Sequence, residues 1–341
     1  MEKPQHAHFF LVISLILLPE TPTRQSWSGF RTTLSPMFGY FGPAGTFTHQ
    51  ALLALRPGVE ARPYATVALT LDAVRSRAVE AGLVPIENSV EGGVSATIDN
   101  LAEGKRLVIA AEVLLPIQFG LYARPGTTLA DVRAVITHPH AAAQVRGWIA
   151  AHLPEATVTE QGSTAGAAEE VAHPESRYDA AVCAAVAGDL YGLTALASAI
   201  ADNEEAITRF VLVRRPGSLP PPTGHDKTSL IVHLRDDHPG ALMTLLQQFA
   251  LRGVNLCRIE SRPEKDRIGY YYFSIDAEGH IADARMAEAL MGLHRVMKTV
   301  DFLGSYERAD LAEPVVQVGF RDSDYGKAAA WLDKLRTTDA G

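Results

Sequence analysis

The sequence predicts an α/β fold in two parts: a large sheet domain covered by helices, then a small ferredoxin-like β-α-β-β-α-β unit. Three observations predict it. Short apolar runs alternate with helical patterns from Met37 to Arg214, as in a sheet with helices on both faces. A stiff, proline-rich spacer, RPGSLPPPTGH at 215–225, ends that alternation. After it, residues 227–307 read strand, helix, strand, strand, helix, strand. A length of 341 residues agrees, since it fits two or three domains of roughly 150 residues.

The elements follow in order. MFGYF at 37–41 starts a strand, and a glycine-rich turn leads to a helix through Gln50–Leu55. Thr66–Glu80 reads as a helix, with Val67, Leu71 and Val74 at i, i+4 and i+7. Gly82–Ile86 is a buried-strand run, and Pro116 splits the long apolar stretch Leu107–Tyr122 into two strands. Ala134–Thr137 is a strand, and Pro139–His152 a helix with proline at its first position. Ala156–Glu160 is a strand, and Ser163–Ala172 a helix capped by Ser163 or Thr164. Strand Ala180–Ala184 leads into a helix towards Tyr191, and Thr208–Arg214 is the last strand of the domain. The second unit reads as strand Lys227–Arg235, helix Pro239–Arg252, strands Val254–Arg262 and Ile268–Ala277, helix Asp283–Lys298 and strand Val300–Tyr306. The tail, 308–341, carries no pattern.

Residues 1–36 stand apart. Phe9–Leu18 is an apolar run of ten, against about 20 for a membrane span. The residues before it carry Lys3 but also Glu2, and no small-x-small cleavage pattern follows. Met37 lies directly before the first strand. The expectation is an upstream extension, disordered or preceding the true start.

Composition narrows the function. Hydrophobic residues are 47% and charged residues 21%, a globular balance. The net charge of −8, with no basic run, argues against nucleic acid as a partner. Two distant cysteines, Cys183 and Cys257, make neither a disulfide scaffold nor a cysteine zinc site, and they fit a reducing, cytoplasmic setting. Stock motifs fail. GPAGTF lacks the P-loop lysine and the dinucleotide glycine pattern, and there is no G-x-S-x-G. His138 and His140 have no evident third ligand, so no metal is expected.

What remains is a set of hydroxyls at strand-to-helix turns: Thr46, Ser89, Thr137, Ser163 and Thr164. Helix N-termini offer free N–H groups and partial positive charge, and ligands of open α/β sheets bind at the carboxyl ends of strands. Together these loops suit a small carboxylate or phosphate. Glu87-Asn88 follows a buried strand as turn or cleft residues. Thr208-Arg209-Phe210, by pattern alone, is an edge strand with a surface arginine.

These blocks resemble the prephenate dehydratases, from about Phe38 to Tyr306. The resemblance rests on GPAGTFTHQAL at 42–52, VPIENSVEGGV at 84–94, THPHAAAQV at 137–145, STAGAA at 163–168 and ITRFVLV at 207–213. HPGALMTLL at 238–246 and RIESRP at 258–263 look like an ACT domain. It departs from the usual pattern at Thr137, where serine is common, at His140, and at Glu205-Ala206, where an asparagine often stands.

The resemblance implies a two-lobed, periplasmic-binding-protein-like catalytic domain at 37–214, followed by an ACT domain at 227–307. The lobes would be about 37–112 plus 191–214, and 113–190, with a linker at 215–226. It implies conversion of prephenate to phenylpyruvate without a cofactor. Thr208, Glu87 and Asn88 would be catalytic. Thr46, Ser89, Thr137, Gln144, Ser163, Thr164 and Arg209 would bind substrate. L-Phenylalanine would bind as feedback effector at Gly240, Ala241, Leu242 and Met243 and at Glu260, Ser261, Arg262 and Pro263. A homodimer or homotetramer, away from any membrane, would go with paired ACT domains. An arogenate dehydratase and a non-catalytic amino-acid sensor are the alternatives.

Overall fold

The structure, a computed structural model, describes residues 36–90, 92–203, 205–264 and 270–337. The extension expected at 1–36 therefore lies, Pro36 apart, outside the described residues.

The first lobe begins with β1 (Met37–Phe41), α1 (Phe47–Leu55), β2 (Glu60–Tyr64), α2 (Val67–Arg75), β3 (Ala81–Asn88), β4 (Gly92–Gly93), α3 (Ser95–Ala102) and β5 (Val108–Pro116). Helix α2 stops five residues short of the expected Glu80. The Ser76 hydroxyl donates back to the Asp72 carbonyl at 2.8 Å, and Arg77 takes a left-handed φ of 68°, which turns the chain into β3.

The second lobe holds β6 (Gly120–Ala123), β7 (Ala134–Thr137), α4 (Pro139–Gln144), α5 (Arg146–His152), β8 (Thr157–Glu160), α6 (Thr164–Ala172), β9 (Ala180–Cys183), α7 (Ala185–Leu190) and β10 (Thr194–Ala197). The single helix expected over 139–152 is two. Val145 leaves helical geometry (φ −121°, ψ 8°), and the Asp202 carboxylate accepts from the Gly147 and Trp148 amides at 2.9 and 3.1 Å. A carboxylate from a distant loop thus satisfies the donors that the break exposes. The strand order is β10-β6-β9-β7-β8. β10 pairs with β6, so residues 194–197 join the second sheet rather than the first lobe, and β5 carries the first sheet past residue 112.

The chain then returns as β11 (Ile207–Arg214), which inserts antiparallel between β3 and β5. The first sheet runs β2-β1-β3-β11-β5, with β4 on β3. Val211 and Val213 are fully buried there, as a central strand requires.

The C-terminal unit comprises β12 (Asp226–His233), α8 (Ala241–Ala250), β13 (Leu256–Pro263), β14 (Tyr271–Glu278), α9 (Ala284–Val296) and β15 (Thr299–Glu307). Its antiparallel order, β13-β14-β12-β15, is that of a ferredoxin-like unit. One face buries Leu230, Phe273 and Ile275 under the helices, against Leu245, Phe249, Met286 and Leu293. The other face lies on the first lobe, where Ile231, Leu303 and Tyr306 share a core with Ile86, Ile109 and Val211. The approach is close. Gly304 has φ +134°, and a Cβ there would sit 2.3 Å from the Ile109 carbonyl oxygen. The patternless tail contains one helix, α10 (Asp322–Thr337), which packs along α9 and whose Asp322 accepts from the Ala284 amide at 2.9 Å. Among the described residues, no helix is long and apolar enough to cross a membrane.

Candidate active site

Register brings together two candidates that lie 120 residues apart in sequence. Thr208 on β11 stands opposite Asn88 at the end of β3. The Asn88 Nδ2 donates to Thr208 Oγ1 at 2.8 Å. The Val90 amide donates to Asn88 Oδ1 at 2.7 Å, so the oxygen end of that side chain is fixed and its NH2 must face Thr208. The threonine oxygen is therefore an acceptor in this pair, and its own proton is left for another group. Ser89 closes the same turn: its amide donates to the Ile207 carbonyl at 2.9 Å, and its Oγ accepts from the Ile207 amide at 2.9 Å.

Strand alternation separates the other two candidates from this pair. Successive side chains of a strand point to opposite faces. Arg209 faces the C-terminal unit, only 5% exposed, and bonds to Glu112, Asp276 and Tyr306. Glu87 lies on that same side, its Oε2 3.4 Å from Arg209 Nη1. Arg209, expected as a substrate ligand, and Glu87, expected as a catalytic group, thus stand on the face of their strands opposite Thr208 and Asn88. Asp276, Tyr306 and Glu112, which sequence reasoning missed, hold the arginine. Arg209 holds its charge more firmly than usual: burial works against the charge, but Asp276, Tyr306 and Glu112 outweigh it. Asp276 is itself buried, which opposes its charge, yet Arg209 and Arg258 hold its carboxyl down at about 2.

The hydroxyl loops divide similarly. Thr46 caps α1, accepting weakly from the His49 amide at 3.4 Å and donating to the Pro43 carbonyl at 3.0 Å. Ser163, not Thr164, caps α6, accepting from the Gly166 amide at 3.0 Å; Thr164 is the first helical residue. Thr137 is fully buried and donates to the Val182 carbonyl at 2.7 Å, tying β7 to β9, so its hydroxyl is spent inside the lobe. Gln144 Oε1 is buried and has no hydrogen-bond partner among the described residues. The lobes meet at Gly45, whose φ is +86°; a Cβ there would lie 3.1 Å from Ala187 and 3.4 Å from Ala165. That loop is fixed by His49, which sequence reasoning also missed. Its Nδ1 accepts from the Gly45 amide at 3.2 Å, and its ring stacks on Tyr40 at 4.7 Å. Burial lowers the His49 pKa and pushes Tyr40 up to about 12, keeping both neutral.

A concavity of about 390 Å³ lies in the C-terminal unit. Gly240, Ala241, Leu242 and Met243 all line it, and so does Ser261. Glu260, Arg262 and Pro263, expected beside Ser261, are not among its lining residues. Glu260 and Arg262 turn to the other face of β13: a Cβ on Gly93 would meet Glu260 Oε2 at 1.8 Å, and Arg262 pairs with Asp99. Leu234, Leu246 and Phe273 form the apolar side of the cavity, with Asp237 and His238 at its polar end.

Comparison with known proteins agrees with this architecture. The family profile for prephenate dehydratase matches residues 38–218. The prephenate dehydratase of Amycolatopsis methanolica is 46% identical over 295 residues, covering 86% of this chain and 95% of that protein. The crystal structure of the Arthrobacter aurescens prephenate dehydratase in complex with L-Phe superposes with a TM-score of 0.82 at 48% identity, over 88% of this chain and 99% of that one. A structure described as GqqA, a novel type of quorum quenching acylases, superposes with a TM-score of 0.73 at 34% identity, over 80% of this chain and 97% of that one. With the profile match covering more than half its length, and such identity along nearly the whole of its relatives, the chain belongs to the prephenate dehydratase family.

Proposed function

We propose that the protein is a prephenate dehydratase, converting prephenate to phenylpyruvate, CO2 and water, and that L-phenylalanine regulates it through the C-terminal unit. The observation that carries the reading is the Asn88–Thr208 pair, in which the threonine oxygen accepts and its proton is left for another group. Loss of the ring carboxylate as CO2 sends its electron pair into the ring, and the ring hydroxyl departs as the ring becomes aromatic. One proton from solution completes the water. A threonine hydroxyl is too weak an acid to deliver that proton outright. A hydrogen bond from Thr208 to the departing oxygen stabilises the charge as it develops. The proton-consuming, aromatising step requires no redox partner, and we assign no cofactor.

Binding falls to the loops. The N-termini of α1 and α6, capped by Thr46 and Ser163, suit the two carboxylates. The unpaired oxygen of Gln144 suits the ring hydroxyl of the substrate. Holding the reacting groups in this way lowers the barrier by avoided entropy cost.

In the C-terminal cavity, an aromatic ring fits against Leu234, Leu246 and Phe273. The effector's carboxylate would lie at the N-terminus of α8 and its ammonium by Asp237. The L-Phe complex of the Arthrobacter relative supports this assignment. β13 is an edge strand beside this cavity, and we read the protein as a cytoplasmic homodimer or homotetramer that pairs there.

Phenylpyruvate formation from prephenate, with and without L-phenylalanine, tests both parts. Turnover suppressed by L-phenylalanine is the expected result. Turnover indifferent to it removes the effector assignment alone, and no turnover removes the dehydratase assignment.

A further inference from the structure

Thr208 and Arg209 are consecutive residues with opposite surroundings, one bonded to Asn88 and one inside the junction with the C-terminal unit. Arg209 Nε donates to Glu112 Oε2 at 2.6 Å, Nη1 to Asp276 Oδ2 at 2.6 Å and Nη2 to the Tyr306 hydroxyl at 2.9 Å. The acceptors are themselves held. Ser229 bonds Asp276 at 2.5 Å and Tyr306 at 2.6 Å, and Lys227 Nζ bonds both Glu112 oxygens at 3.0 and 3.1 Å. The pairing of β11 with β3 slips between Arg209 and Phe210. At such a bulge the ladder is locally disrupted and the strand can twist. Beside that slip stands the Arg209 guanidinium, bonded to Glu112 of the first lobe and to Asp276 and Tyr306 of the C-terminal unit.

We propose that Asp276 and Tyr306, from the C-terminal unit, are positioning residues for Thr208, acting through Arg209. The inference rests on the role given to Thr208 above. It makes the C-terminal unit part of what aims the threonine, and not only a sensor. A shift of β14 or β15 by a fraction of an ångström would pass through the guanidinium to the adjacent residue.

The test uses Asp276→Asn and Tyr306→Phe in the full chain, with kcat, KM and amide hydrogen exchange across Ile207–Phe210. Tyr306→Phe removes one hydroxyl at constant shape, so it remains informative if Asp276→Asn does not fold. The expected result is a kcat lower by about 10-fold with KM within about twofold, the split that misaimed catalysis produces. A folded Tyr306→Phe with kcat within about twofold of the parent, or with its loss confined to KM, overturns the proposal. A parent chain without turnover overturns the proposed function instead. Exchange then decides: faster exchange in 207–210 but not in the second lobe sustains the link, and unchanged exchange there overturns it.

Discussion

Arg262 of β13 and Asp99 of α3 form a two-pronged ion pair across the junction of the C-terminal unit and the first lobe, with Nε and Nη2 each 3.0 Å from a different carboxylate oxygen. The Tyr272 hydroxyl donates to the same carboxylate at 2.7 Å. The residue before Arg262, Ser261, lines the cavity. One strand thus touches the proposed effector site with one face and grips the lobe carrying Asn88 with the other.

Arg262→Ala should therefore uncouple regulation from catalysis. Allosteric coupling is commonly worth about 1–3 kcal/mol, so the L-phenylalanine concentration for half-inhibition should rise by about 10-fold. Turnover without effector should stay within about threefold. A dose–response curve checks this, and an unchanged midpoint would take Arg262 out of the path.

Thr208→Ala should cost about 10²–10³ in kcat, the usual loss for one donor to a developing charge. Among the described residues its hydroxyl is one partner of a single side-chain hydrogen bond, so the fold should survive. Steady-state kinetics beside a thermal melt tests both halves; near-parental kcat would remove Thr208 from the mechanism.

Gly304→Ala should destabilise the junction. The new methyl would meet a backbone oxygen at 2.3 Å, which cannot rotate away, at a φ of +134° that side chains disfavour. A cost of about 3 kcal/mol corresponds to a Tm lower by about 6 °C or more. Differential scanning calorimetry gives the answer, and a Tm within about 2 °C of the parent would refute the close contact.

Acid should loosen the same junction through Asp276. Its carboxyl is held at about 2, below its ordinary value of 3.8. A carboxylate with a depressed folded pKa stabilises the fold above its unfolded pKa, and that stability is lost as pH falls through the folded value. The contribution, on the order of 2 kcal/mol, should disappear between about pH 4 and pH 2. Asp276→Asn should show a correspondingly flatter acid-denaturation profile over that window, measured by urea unfolding at stepped pH.

Strong patterns made most elements legible. MFGYF, the Ala134–Thr137 run and the βαββαβ order all carry burial signals at the right period. β2 did not, because EARPY is largely exposed and holds a proline. α3 is short, with Gly92-Gly93 just before it, and the break at Val145 depends on Asp202, far away in sequence. At the site, Thr208 and Asn88 were legible as motif residues. The facing of Arg209 and Glu87 was not, because alternation gives opposite faces but does not say what covers each. A signal did exist: charged residues inside otherwise apolar strands, Glu112 in VIAAEVLLP and Asp276 in YYFSIDAE, mark a buried polar junction.

The placement of β11 also sets a timetable for the nascent chain. This strand is the last piece of the first sheet to leave the ribosome, yet it fills the gap between β3 and β5. Until it emerges, the early strands have unpaired edges that invite mispairing. The intervening lobe is continuous from β6 to β10 and can close first. The oldest part of the polypeptide thus waits for its keystone, and a stall between the two lobes would leave it the most exposed to aggregation.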